Sequence, residues 1–128
     1  MQCYKHKIGY LIGKTLESKG EYKDALNTYI ESLALYPRHY DLRKAIGRVN
    51  RFLGNYDKSI NVFKELLLPS PISGELNFEI AKSYYASGSR KKALEHLKIA
   101  LDIWETADPE YKLAIEAKEK WTKWNKFN

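Results

Sequence analysis

A constant spacing of 34 residues constrains the fold of this chain more than any other feature. Glycines lie at Gly20, Gly54 and Gly88, and each is 34 residues from the next. Their surroundings recur with them: Ile12-Gly13, Tyr22, Ala25, Tyr29 and Pro37 are matched by Ile46-Gly47, Tyr56, Ser59, Phe63 and Pro71, and more weakly by Ile80-Ala81, Ala93, Leu97 and Ala100. A constant period of this length indicates stacked repeats, in which each unit buries its apolar faces against its neighbour.

The apolar residues around each glycine predict a pair of helices. A first helix is predicted from near Lys5–Lys7 to about Lys19, because Ile8, Leu11, Ile12, Thr15 and Leu16 recur at i, i+3, i+4, i+7 and i+8. Gly20 then ends that helix, since glycine readily adopts the positive φ found just beyond a helix C-terminus. Pro37 and Pro71 close the first two units, because proline cannot continue a helix.

A last helix is predicted from Pro109 to about Lys126. Asp108 is the expected N-cap, and proline is well tolerated at the first helical position. The apolar residues of this helix are spaced by three or four: Tyr111, Ala114, Ala117, Trp121, Trp124 and Phe127. Such an amphipathic helix can cap a stack of repeats, and the two tryptophans are expected to belong to the core of that cap.

The small residues of the pattern predict close contact between helices. Gly13, Gly47 and Ala81 are expected where a second helix crosses the first, and Ala25, Ser59 and Ala93 are expected on the crossing helix. Asn50 occupies a position where the pattern favours a large apolar residue, which predicts a looser contact there.

Over about residues 5–104 the chain resembles the tetratricopeptide repeat family, on the three copies of the pattern above. The resemblance implies an all-α fold, a right-handed α-solenoid of helix-turn-helix repeats with about seven helices. It further implies a single domain over residues 1–128, with repeats at about 6–39, 40–73 and 74–107 and a capping helix at 108–126. Domains of this family are typically interaction modules whose first helices line a concave groove, without chemistry of their own.

The groove positions of the family can be carried over by register. The candidate partner-binding residues are Lys7, Tyr10, Lys14, Lys44, Arg48, Arg51, Phe78, Lys82 and Tyr85. Glu17, Asp41 and Glu75 also fall at groove positions. Six cations and three aromatics on one surface would suit an acidic segment with an apolar or aromatic anchor. The alternative is that this basic stripe is only a solvated helix face.

A clamp for the C-terminal carboxylate of chaperone tails, known in some members of the family, does not fit this sequence. Lys14 stands where that clamp has asparagine, and Tyr10 stands where it has lysine. Glu75 and Glu79 occupy positions that should be Lys and Arg, and their charges would repel a carboxylate. The sequence therefore argues against this ligand.

The net charge of +6 is concentrated in the first part of the chain. Residues 1–52 have ten Lys/Arg and five Asp/Glu, whereas residues 53–128 have twelve and eleven. The excess indicates an acidic partner or simply aids solubility. The sequence has neither an apolar run long enough to span a bilayer nor a signal peptide, which predicts a cytoplasmic location. Cys3 is expected to be an inert thiol.

No arrangement of residues predicts catalysis, a metal or a cofactor. His6, His39 and His96 lie far apart and lack the spacing of metal ligands. Phosphate-binding glycine loops and the nucleophile motif G-x-S-x-G are absent from the sequence. The leading hypothesis is therefore a non-enzymatic module that binds a peptide or helix of another protein. An oligomerisation unit that uses the stacking ends or the cap is the alternative, and nucleic-acid binding through the basic N-terminal half ranks third.

Overall fold

The computed structural model describes residues 5–126, and this range folds into seven α-helices without a β-strand. The helices are Lys5–Ser18 (α1), Tyr22–Leu35 (α2), Tyr40–Phe52 (α3), Tyr56–Leu67 (α4), Gly74–Ala86 (α5), Arg90–Ile103 (α6) and Lys112–Asn125 (α7). The predicted all-α class and helix count are confirmed. Cys3, the side chain of His6, and Phe127 lie outside the described residues.

The three repeated glycines form the same turn. Their φ angles are +78° at Gly20, +83° at Gly54 and +90° at Gly88, a region that favours glycine. The backbone N–H of the residue after each glycine donates to a carbonyl five residues earlier, over 3.0, 2.8 and 2.9 Å respectively. This bond is typical of a Schellman C-cap. The 34-residue sequence period is therefore also a period of backbone geometry.

Asn50 makes a well-bonded contact, so the prediction of a looser one was wrong. The side chain is buried. Its amide donates to the Ile46 carbonyl over 2.9 Å, and its carbonyl oxygen accepts from the Asn55 side chain over 3.1 Å. Asn50 thus ties the last turn of α3 to the residue that follows Gly54, which an apolar side chain could not do.

The last helix begins at Lys112, three residues later than the sequence predicted. Asp108 does not cap a helix. Its carboxylate accepts from the Glu110 N–H over 3.0 Å, and its carbonyl accepts from the Tyr111 N–H over 2.9 Å. These bonds form a tight turn that holds Pro109 outside the helix.

The chain divides into two compact units, Met1–Val62 and Phe63–Asn128, and the division falls within α4. In the first unit α2 packs on both α1 and α3. The core of this unit joins residues of α2 and α3: Ala25, Tyr29, Leu42, Ala45, Ile46 and Val49. In the second unit α6 packs on α5 and α7. The single-domain limits and repeat boundaries of the sequence analysis stay predictions.

Gly13 lets α2 approach α1 closely, as the sequence predicted for this position. A β-carbon built on Gly13 would lie 2.2 Å from Cε1 of Tyr29, whose side chain is fully buried. The third repeat carries Ala81 and Leu97 at the positions that correspond to Gly13 and Tyr29, 68 residues earlier. A smaller residue on the second helix thus accompanies a larger one on the first.

We expect Gly13→Ala to lower the free energy of unfolding by about 1–3 kcal/mol, because the buried Tyr29 ring cannot move aside. This cost should exceed the roughly 1 kcal/mol by which alanine favours a helix over glycine. Urea denaturation followed by circular dichroism measures the free energy of unfolding of the wild type and of the variant. In a Tyr29→Leu background the same substitution should cost little or stabilise, and an equal cost in both backgrounds would show that the tyrosine is not the obstacle.

No helix in residues 5–126 is long and apolar enough to cross a membrane.

Candidate partner-binding surface

A three-helix network in the first unit joins two of the predicted groove positions. Arg48 of α3 donates from Nε to Oε2 of Glu17 on α1 over 2.6 Å, and from Nη2 to Oε1 over 2.9 Å. Tyr29 of α2 donates its hydroxyl to the same Oε1 over 2.9 Å. A bidentate arginine–carboxylate pair fixes direction as well as distance. The groove faces of α1 and α3 therefore lie side by side.

The network changes the acidity of two of its members. Burial alone would raise the pKa of the Glu17 carboxyl, but the hydrogen bonds and charge of Arg48, helped by Tyr29 and Lys14, outweigh it and lower the pKa. Burial, and then the bond to Glu17, raises the pKa of the Tyr29 hydroxyl. At neutral pH Glu17 is therefore an ionised acceptor and Tyr29 a neutral donor.

The other two candidate cations of α3, Lys44 and Arg51, lie against neighbouring aromatic rings. The Lys44 ammonium lies 3.7 Å from the Asp41 carboxylate and 4.6 Å from the centre of the Tyr40 ring. The Arg51 guanidinium lies 5.5 Å from the centre of the Phe52 ring. Both side chains are half-buried. Cation–π contacts of this kind help to hold long side chains in place.

On α1, Lys7 and Lys14 are exposed and Tyr10 is half-buried. The Tyr10 ring lies 6.2 Å from the Tyr29 ring, centre to centre, with the planes tilted by 38°. One edge of Tyr10 is thus supported by the core while the remainder stays accessible, as a partner-contacting aromatic requires.

The groove positions of the first unit carry more cations than carboxylates. Five cations occupy its groove positions, Lys7, Lys14, Lys44, Arg48 and Arg51, against the two carboxylates Glu17 and Asp41. The formal charge of these positions is +3. This excess gives the surface a preference for negatively charged partners.

In the second unit, Phe78 is part of the core. Its side chain is 1% exposed, and its ring meets that of Trp104 edge-on at 6.0 Å between centres. Trp104 can reach α5 because Gly74 has no side chain: a β-carbon there would lie 2.5 Å from the indole. An interior ring cannot anchor a ligand, so Phe78 drops out of the candidate surface.

Of the remaining two candidates of the second unit, Lys82 is half-buried and Tyr85 is exposed. Lys82 is held by Glu79, 2.7 Å from its ammonium, and lies 4.5 Å from the centre of the Phe78 ring. Tyr85 is 42% exposed and stacks on Trp124 of α7, with 4.2 Å between ring centres and 7° between planes. The expected core role of Trp124 is confirmed by its 4% exposure, whereas Trp121 is only half-buried.

Arg90 shows why the third repeat departs from tyrosine at this position. Its guanidinium Nη2 donates to the backbone carbonyl of Trp124 near the C-terminus of α7. A cation is favourable there, because helix C-termini carry unsatisfied carbonyls and a partial negative charge. Arg90 thereby attaches the cap to α6, a role that the sequence pattern did not reveal.

His96 of α6 contacts side chains of α5. Its Nδ1 lies 3.1 Å from the Asn77 side-chain oxygen, and its ring stacks on Tyr84 at 5.6 Å between centres. Burial, and then the charge of Lys64, lowers its pKa, so the imidazole is neutral at pH 7.

Sequence reasoning placed Glu17 at a groove position but missed its bonds. The spacing of Glu17 and Arg48 could have predicted the pair. They are 31 residues apart, three fewer than the period, so they lie on facing sides of successive first helices. The ion pairs of Lys44 with Asp41 and of Lys82 with Glu79 could also have been predicted from the sequence. In each pair the carboxylate lies three residues earlier on the same helix, a spacing at which side chains meet.

Comparisons with known proteins agree with this repeat fold. A model of the tetratricopeptide repeat family matches residues 10–39. Tetratricopeptide repeat protein 8 of Caenorhabditis elegans is 27% identical over 93 residues, which cover 73% of this chain. The match spans 18% of that relative's length, so the chain corresponds to less than a fifth of it.

Two solved structures share the fold. The type III secretion translocator chaperone SycD of Yersinia enterocolitica superposes with a TM-score of 0.81 at 18% identity, over 94% of this chain and 91% of its own. PcrH of Pseudomonas aeruginosa, solved in complex with the chaperone-binding region of PopD, superposes with a TM-score of 0.78 at 16% identity, over 93% and 90%. Identities this low establish a common fold alone.

Proposed function

We propose that this chain, which belongs to the tetratricopeptide repeat family, is a non-enzymatic module that binds an acidic peptide or helix of another protein. The proposed surface is the groove face of the first unit, formed by α1 and α3. Lys14, Lys44, Arg48 and Arg51 would contact carboxylates, and Tyr10 would supply apolar contact area.

The bidentate bond between Glu17 and Arg48 carries this proposal. It supports a continuous surface because it joins α1 to α3 at two groove positions. It also restrains the Arg48 side chain before any ligand arrives, which reduces the entropy lost on binding. The formal excess of +3 favours a ligand of opposite sign and speeds its approach.

The relatives offer a precedent for the mode of binding. PcrH was solved with the chaperone-binding region of PopD, a segment of another protein. A segment of another protein bound by this chain would be a comparable case. Lys82 and Tyr85 of the second unit stay proposed partner-binding residues of that unit. A cytoplasmic location stays a prediction of the sequence.

Charge reversal on α3 tests the proposal. We expect Lys44→Glu/Arg51→Glu to weaken binding of acidic peptides at least about tenfold, since charged contacts at an interface are each worth roughly a kcal/mol or more. The probes are fluorescent peptides that carry Asp and Glu around a single Phe, Leu or Trp, and the same peptides with Lys in place of the acids. Fluorescence anisotropy gives the dissociation constants.

The matched control reverses two exposed cations of the second unit, Lys91→Glu/Lys118→Glu, which changes the net charge equally. Circular dichroism checks that both variants fold. Equal loss of binding in the two variants would reduce the effect to net charge and refute a groove site. Equal affinity for the acidic and basic probes would refute the acidic ligand.

A further inference from the structure

The apolar face of α1 lies open at the end of the first unit. Ile8, Leu11 and Ile12 are 56%, 63% and 50% exposed, and Thr15 on the same face is also exposed. Four of the five residues whose spacing predicted this helix are thus exposed, whereas the fifth, Leu16, packs against the core of the first unit. A row of three aliphatic side chains in water indicates a missing partner surface.

The other first helices show what this face is for. One period later, Leu42, Ala45, Ile46 and Val49 of α3 occupy the same positions, and all are 8% exposed or less. Two periods later, Leu76, Ile80 and Ser83 of α5 are at most 1% exposed, and Glu79, at the position of Leu11, is half-buried. Three periods later, Ala114 and Ala117 of α7 are buried as well. Among the helices at this register in residues 5–126, α1 alone leaves the face open.

In two of these cases the structure shows which element does the covering. The α3 face packs against α2, the second helix of the preceding repeat, whose Ala25 and Tyr29 lie in the same core cluster. The α7 face packs against α6, which is again the second helix of the repeat before it. Both covering helices bury a stripe at i, i+4 and i+7: Ala25, Tyr29 and Ser32 in α2, and Ala93, Leu97 and Ala100 in α6.

The charged residues beside the exposed face of α1 indicate which kind of helix would pack on it. Lys7 and Lys14 lie one step around the helix from Ile8 and Thr15, and Lys19 follows at its C-terminal end; all three are exposed. The acidic residue of α1, Glu17, is engaged by Arg48 on another side of the helix. An incoming helix would therefore gain by carrying carboxylates beside its apolar stripe.

A second copy of this chain supplies no suitable helix from the elements just described. Two α1 helices face to face would bring their lysines together. The α7 helix has four lysines against Glu116 and Glu119, a formal charge of +2. Within their own units α2 and α6 already pack on the helices that follow them.

We propose that the open face of α1 docks an acidic amphipathic helix of another protein, which takes the place that α2 takes on α3. This site differs from the groove face of α1 and α3 in its apolar contacts, because Ile8, Leu11 and Ile12 are not groove positions. Lys7 and Lys14 lie at the border of both surfaces. The partner helix carries small and bulky apolar residues at i, i+4 and i+7, with acidic residues on the flanks.

A peptide with the sequence of residues 21–36 of this chain is a suitable probe. It contains the α2 stripe, and its Glu21, Asp24 and Glu31 against Lys23 give a formal charge of −2. Isolated helices of this length are marginal in water, so the peptide is cross-linked across its solvent face to hold the helix. The control peptide replaces the three acidic residues with lysine and keeps the apolar stripe.

Fluorescence anisotropy should show saturable binding of the acidic probe to the wild-type protein. Leu11→Glu should weaken it at least about tenfold, because burying a leucine side chain contributes about that much affinity. Ile8→Glu is a second variant of the same kind, and both sites are exposed, so the fold should persist. Ile99→Glu, at a 42% exposed position of α6, is the matched control and should change the affinity less than about twofold.

The outcomes separate this site from the groove. Lys44→Glu/Arg51→Glu should leave probe binding intact, and that result would hold even if the groove bound nothing. No saturation, or equal binding by Leu11→Glu, would overturn the α1 site. Equal affinity for the lysine peptide would overturn its acidic character. A dimer in light scattering that Leu11→Glu converts to a monomer would show that a second copy covers the face, and would also overturn the proposal.

Discussion

Tyr29→Ala is expected to lower the free energy of unfolding by about 3–5 kcal/mol, the range for deleting a large buried aromatic side chain. The Tyr29 side chain is fully buried between α1 and α3. Its ring occupies the space beside Gly13, and its hydroxyl donates to Glu17. A cavity and a lost hydrogen bond thus arise together. For a domain of this size such a loss is a large part of the total stability.

Two further variants separate the contribution of the buried Tyr29 ring from that of its hydroxyl and from the loss of any tyrosine. Tyr29→Phe keeps the ring and removes only the hydroxyl, so it should cost about 1.5–3 kcal/mol, the range for a hydrogen bond to a charged group. Tyr85→Ala removes an exposed tyrosine and should cost less than Tyr29→Ala. Urea denaturation followed by circular dichroism measures all three. If Tyr29→Ala cost less than Tyr85→Ala, the central role of Tyr29 in the first-unit core would be refuted.

Arg48→Ala is expected to cost about 2–3 kcal/mol, because it leaves the carboxylate of Glu17 without its principal partner in a poorly hydrated position. The Glu17 side chain is 11% exposed and that of Arg48 23% exposed, so water can replace only part of the lost interaction. Arg48→Lys should recover less than half of the loss, since an ammonium cannot reproduce the two parallel bonds of a guanidinium.

The pH dependence of stability gives this pair a signature of its own. The folded-state pKa of Glu17 is lower than its ordinary value of 4.5, so its contribution is present above that pH. The contribution is lost as the pH falls through the folded-state pKa, because protonation then breaks the pair. Wild-type stability should therefore decline below about pH 4.5 more steeply than that of Glu17→Gln.

The control is the double variant Glu17→Gln/Arg48→Ala, in which neither charge remains. Its stability should follow the same shallow acid profile as Glu17→Gln. An unchanged steep profile in both variants would assign the acid sensitivity to other carboxylates. A double-mutant cycle with no coupling between the two positions would contradict the bidentate pair itself.

Much of the local structure could be predicted from residue types. Gly20, Gly54 and Gly88 predicted three turns because glycine adopts positive φ at low cost, and the structure has positive φ at each. The apolar spacing predicted the helices, with ends correct to a few residues. The error at Asp108-Pro109 arose because the same two residues favour both a helix start and a tight turn. In this turn Tyr111 lies against Trp104, with 5.5 Å between the ring centres.

Burial could not be predicted in the same way. Tyr10, Lys44 and Phe78 share one register, yet Tyr10 and Lys44 are half-buried and Phe78 is interior. The difference comes from Trp104, a residue 26 positions further along the chain than Phe78, which reaches α5 over the bare backbone of Gly74. Register identifies a face of a helix, but the neighbours of that face decide whether it meets water.

The amino-acid sequence by itself determined the period, the seven helices and the glycine turns, because backbone preferences and apolar spacing act within a few residues. Tertiary structure decided which faces those helices bury. It paired Arg48 with Glu17, placed Phe78 in the interior and left Ile8, Leu11 and Ile12 exposed. These outcomes depend on whether a second helix is present opposite each face, and only the three-dimensional packing of distant segments supplies or withholds that helix.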